Sequence, residues 1–118
     1  MSRTYRVSVT VKAIHPRKVD AVTEAILCLW PVREDEAAIS KTEDGLINLG
    51  LQGVGSLGGG KTTEEFAKTL ARRVWGVHGN YVSVSVITEY LDEPPTDVYS
   101  FGPAFYIEYG PIVIEEEE

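Results

Sequence analysis

The chain has 118 residues and a net charge of −7, with 43% hydrophobic and 25% charged residues. That composition describes one globular domain and excludes a fibrous or intrinsically disordered polypeptide. A single cysteine, Cys28, excludes an internal disulfide framework, and no apolar run approaches the roughly 18 residues that span a bilayer. A cytoplasmic protein is the expectation, with Cys28 read as a small buried apolar residue among Ile26, Leu27 and Leu29.

Charge is segregated along the chain. All eleven basic residues fall between Arg3 and Arg73. From Val74 onward there is no Lys or Arg but nine carboxylates: Glu89, Asp92, Glu93, Asp97, Glu108 and Glu115 to Glu118. A one-signed field of this kind repels nucleic acid and attracts basic surfaces.

In chain order, Tyr5, Val7, Val9, Val11 and Ala13 alternate with Arg6, Ser8, Thr10 and Lys12, which predicts a half-buried strand. Pro16 suits the first turn of a helix, where its missing N–H has no partner to lose. Val19, Val22, Ile26 and Leu29 then follow at helical spacing and stop before Pro31. A weaker strand is expected over Ala37 to Lys41, with hairpin residues Glu43-Asp44-Gly45 and a strand from Leu46 to Val54. Gly53 to Gly60 reads as a glycine-rich loop. Thr62-Thr63-Glu64-Glu65 matches a capping box opening a helix that stripes Phe66, Leu70 and Val74 and ends at Gly79-Asn80. Tyr81 to Tyr90 is the clearest strand, with Val82, Val84 and Val86 inward, and Pro94-Pro95 breaks it.

The order β-α-β-β-α-β predicts an α+β, ferredoxin-like split βαβ sandwich over residues 1–93. Residues 94–118 read as an irregular aromatic and acidic extension of the same domain. Both helices cover one sheet face. The other carries Arg6, Ser8, Thr10, Asn48, Gln52, Ser83 and Ser85, and is wet or occupied by a partner.

The string Gly55-Ser56-Leu57-Gly58-Gly59-Gly60-Lys61-Thr62 fits the phosphate-cradling pattern G-x-x-x-x-G-K-[ST]. In a nucleotide site Gly55 and Gly60 would shape the loop, Lys61 would reach the outer phosphates and Thr62 would ligate magnesium. Context favours a strand-to-helix turn instead. The preceding strand alternates rather than being continuously apolar, and few residues follow for a nucleotide domain. Nucleotide or phosphate binding is therefore the alternative reading, and no cofactor is expected. His15 and His78 stand at helix boundaries and form no metal-spaced cluster, so structural caps or solvated side chains are expected.

Residues Glu65 to Phe101 resemble a group of small proteins encoded by phages and other mobile elements. The shared features are a V-W-x-x-x-G helix end, alternating valines, a T-x-Y-L-[ED] stretch and a Y-S-F; the Y-R-V-S-V-T strand and G-x-G-S-L-x-G-G turn also look similar. These motifs are structural, and the resemblance implies no activity. After Phe101, glycine, proline and aromatics replace the acidic helical ending of that group. Together with the charge segregation, it implies a non-enzymatic interaction protein that blocks a basic, nucleic-acid-handling host-defence protein, as an anti-CRISPR or anti-restriction inhibitor does. The expected partner-binding residues are Tyr90, Asp92, Glu93, Asp97, Tyr99, Tyr106, Glu108 and Tyr109, with neither nucleic acid nor membrane contacted directly. The protein itself is expected to be a monomer or a dimer pairing through the wet sheet face.

Overall fold

Alternation in the first strand sets the architecture. The computed structural model describes residues 3–33, 37–57, 62–91 and 96–111. Strand β1 (Arg3–Ile14) lies at the centre of a five-stranded sheet of order β2-β3-β1-β4-β5, formed with β2 (Ala38–Lys41), β3 (Ile47–Leu57), β4 (Ser83–Tyr90) and β5 (Thr96–Phe101). Every neighbouring pair is antiparallel. β1 and β2 therefore run the same way with β3 between them. Helices α1 (Val19–Leu29, after a 3₁₀ turn over Pro16–Lys18), α2 (Thr63–His78) and α3 (Pro103–Tyr109) complete an α+β domain. None of the described helices is long and apolar enough to cross a membrane.

The period of two sorts side chains cleanly. Val7, Val9 and Val11 of β1, Leu49 and Leu51 of β3, and Val84 and Val86 of β4 are buried against Val22 and Ile26 of α1 and Phe66, Leu70 and Val74 of α2. Register places Arg6, Ser8 and Thr10 level with Val54, Gln52 and Gly50 on one side and with Glu89, Ile87 and Ser85 on the other. These residues form the opposite, open face. A bulge shifts the β1–β3 register after Val11, and Ala13 takes a φ of +63° there. The Asn48 side-chain carbonyl accepts from the Ala13 amide at 3.0 Å and holds the irregularity in place.

Three expectations are corrected. Gly53 to Leu57 is strand, not loop: β3 continues to Leu57 and pairs Gly53 with Val7 and Gly55 with Tyr5. Those glycines exist because Trp30 and Pro31 lie directly on them, with Pro31 Cγ 2.9 Å from where a Gly55 side chain would begin. Cys28 is exposed rather than buried, since two residues past Ile26 is about 200° around a helix. The segment after Pro95 is also regular. β5 adds a fifth strand beside β4, and Gly102-Pro103 opens a helix that Gly110 closes at φ +69°.

Candidate functional site

Trp75 organises the end of the molecule where the sequence places its acids and tyrosines. The indole is fully buried, and its N–H donates to the Val82 carbonyl at 2.8 Å. Around it sit the rings of Tyr81, Phe105 and Tyr106, with centroids at 5.9, 5.8 and 5.0 Å. Phe105 also meets Phe101 at 4.8 Å and Tyr109 at 4.5 Å. Seven residues form too short a helix to persist alone. α3 stands because these rings dock it and because Arg72 reaches across from α2. The Arg72 guanidinium donates to the Gly110 carbonyl at 3.0 Å and to that of Tyr109 at 3.3 Å, satisfying the helix C-terminus.

The expected partner-binding residues accordingly separate. Tyr90 stacks on Tyr5 at 5.2 Å, and Tyr106 meets Trp75 and Tyr81 edge-on. The Tyr99 hydroxyl shares a 2.6 Å hydrogen bond with Thr63 Oγ1. Those three rings hold structure. Tyr109, Glu108 and Asp97 are exposed at the β5–α3 end. Asp92 and Glu93 lie outside the described residues, as does Glu115 to Glu118. The acidic third also acquires cations by folding, against the expectation of a base-free surface. Arg6 pairs with Glu89 at 3.0 Å on the open face, while Lys68 sits 5.6 Å from the Tyr109 ring centroid and pairs with Glu64 at 2.9 Å.

Of the glycine-loop residues, Gly55 belongs to the β3 ladder and Thr62 caps α2, its Oγ1 accepting from the Glu65 amide at 3.1 Å and donating to the Glu65 carboxylate at 3.1 Å. That is the threonine half of the capping box expected from the sequence. Gly60 and Lys61 lie outside the described residues. Both histidines act at helix ends. His15 Nδ1 accepts from the Arg17 amide at 3.2 Å, and the His15 amide donates to His78 Nε2 at 3.1 Å. With Nε2 accepting, the other ring nitrogen carries the proton and donates to the Asn80 carbonyl at 3.2 Å. Burial lowers the His78 pKa below its ordinary value, which keeps this tautomer neutral. Among the described residues no His, Cys, Asp and Glu side chains gather to hold a metal ion.

Two surface features escaped sequence reasoning. On α3, Ile107 points outward and is 82% exposed. On the open sheet face, Ile87 of β4 stands directly beside Val98 of β5, the latter 62% exposed. Across β1 from them, over Gly50 and Ala38, two adjoining clefts of about 210 and 360 Å³ open onto Ser8, Thr10, Gln52 and Asn48. A helical reading of P-A-F-Y-I-E-Y exposes the first feature, since Phe105, Tyr106 and Tyr109 share a stripe that Ile107 leaves. The second needs the β4–β5 pairing, which no local pattern announces.

No protein-family model, curated protein or solved structure matches the chain.

Proposed function

We propose that this chain is a non-enzymatic interaction protein, built as a ferredoxin-like split βαβ sandwich with an added strand and helix, that binds a basic protein surface through its β5–α3 end. The observation that carries the reading is Ile107, 82% exposed on a docked helix between Tyr106 and Glu108. A large apolar side chain held out on a docked helix, next to a carboxylate in the chain, has the make-up of an interface anchor. Ile107 and Tyr109 desolvate the contact. Asp97 and Glu108 offer oxygens to lysines and arginines that otherwise hold phosphates, and the net charge of −7 steers the encounter. A nucleic-acid-handling protein of host defence presents such a cationic surface. The resemblance of residues 65–101 to phage and mobile-element proteins supports occlusion of that surface as the mode of action.

The test is affinity capture from the native cell with mass-spectrometric identification. A basic, nucleic-acid-binding protein should be retained at low salt. The double substitution Ile107→Arg, Glu108→Lys should reduce its capture at least tenfold. Retention of acidic or neutral proteins alone, or capture indifferent to the double substitution, removes the reading.

A further inference from the structure

We infer that the open face of the sheet is a self-association surface: two copies pack face to face about a twofold axis running along the strands between β1 and β4. This proposal stands apart from the partner reading, which concerns the helical side.

Charge is the first argument. The molecule carries −7, yet the strands of this face display only Arg6, Lys12 and Glu89 among their described charged residues, with Arg33 at the rim beside Arg6 and Gln52. Such a face is close to neutral in an acidic protein, so a second copy meets least repulsion here. Among its described residues it also offers no aromatic ring on which a nucleic-acid base could stack.

Self-complementarity is the second argument. Arg6 and Glu89 sit side by side on the two central strands, 3.0 Å apart and about half exposed. An axis between those strands sets Arg6 of one copy opposite Glu89 of the other, twice. One intramolecular pair then becomes a four-membered network of alternating sign. The same operation lays Ile87 over Ser8 and Val98 over Gln52, carrying the raised apolar end of each face toward the recessed end of the other. There Gly50 and Ala38 leave the clefts of about 210 and 360 Å³. Isologous contacts need such a ridge and trough on one surface.

Size is the third. Four strands spaced at about 4.8 Å and overlapping for six residues cover an area about 20 Å on a side, so two copies bury on the order of 1,000 Å² in aligned sheet packing. That is the lower limit of a specific interface and predicts a weak dimer whose population rises with concentration.

Sedimentation velocity and light scattering over a concentration series test this, with thermal unfolding verifying that each variant folds. The full chain should dimerise reversibly. Ile87→Asp, at an exposed position, should raise the dimer dissociation constant at least tenfold. Arg6→Glu alone and Glu89→Arg alone should each do the same by opposing like charges. An equimolar mixture of those two variants should recover dimer, because every intermolecular pair is again of opposite sign. A monomer at the highest concentration reached overturns the inference. So does a dimer insensitive to Ile87→Asp, or a mixture that associates no better than its components. None of these results bears on capture through Ile107.

Discussion

At Gly53 the backbone has no room for a side chain. Trp30 and Pro31 follow α1 directly and lie across β3, and the Trp30 indole donates to the Gly53 carbonyl at 2.9 Å. A Cβ on Gly53 would run into the Pro31 carbonyl oxygen and stand 2.7 Å from Val32 Cα, backbone atoms that cannot rotate away. Gly53→Ala should therefore cost about 3 kcal/mol or more, at the upper end of overpacking, read from urea unfolding. Gly50 provides the contrast, because a Cβ there meets only the Ala38 Cβ at 3.5 Å, an ordinary contact. Gly50→Ala should change stability by less than about 1 kcal/mol. Equal losses at the two sites would contradict this account of the glycines. His78 yields a pH dependence. Burial depresses its pKa, Lys18 and His15 push the same way, and the Asn80 carbonyl opposes them. The unfolded chain thus takes up this proton at higher pH than the folded one. The stabilisation is complete above the ordinary histidine value of about 6.5 and declines as pH falls below it. The urea midpoint should drop as pH falls below about 6.5, and His78→Gln, which keeps an acceptor for the His15 amide, should flatten part of that slope. A slope unchanged by the substitution assigns the pH dependence elsewhere.

α3 is the element that depends most on others. Its rings supply the apolar area, but its C-terminal carbonyls are satisfied by Arg72 of α2. Charge-assisted hydrogen bonds contribute about 1.5–3 kcal/mol, less where exposed, so Arg72→Ala should undock α3 before it unfolds the sheet. The expected signature is a loss of near-ultraviolet dichroism from Trp75 and faster proteolysis after Phe101, with far-ultraviolet dichroism little changed. Coincident loss of all three signals would mean that α3 and the sheet unfold as one unit. The same element shows what was legible in the sequence. The strands β1 and β4 and the helices α1 and α2 follow from alternation and helical spacing, because each buries one face against the same core. The Thr62 cap follows from four consecutive residues. β5 was hidden since it places Tyr99 and Phe101 on one face and Val98 on the other, so its apolar pattern has no clean period. The end of β3 was hidden by glycines that serve the packing of Trp30 and Pro31 yet look like a loop. One-dimensional charge counting sees no base in the acidic third and so places its tyrosines at an interface. Folding brings Arg6, Lys68 and Arg72 to that third from far along the chain.

On the scale of the whole molecule, the sheet separates two surfaces of different character. On the helical side, α3 exposes Ile107, Glu108 and Tyr109 and β5 exposes Asp97; on the other, Ile87 and Val98 lie across β1 from a field of hydroxyls around Gly50. Substitutions far apart with no shared partners act additively, within about 0.5 kcal/mol. Ile87→Asp should therefore leave the affinity of one protomer for its partner within about threefold of the parent in solution calorimetry, and Ile107→Arg should leave the dimer constant equally unmoved. Avidity changes the outcome where the partner is immobilised densely. A dimer presents two α3 ends at once and should dissociate from such a surface more slowly than the Ile87→Asp monomer, although each contact is the same. Comparing calorimetry in solution with dissociation from a dense surface separates the two contributions. If Ile87→Asp weakens both measurements alike, the open face itself touches the partner, and the division of labour between the two sides of the sheet is wrong.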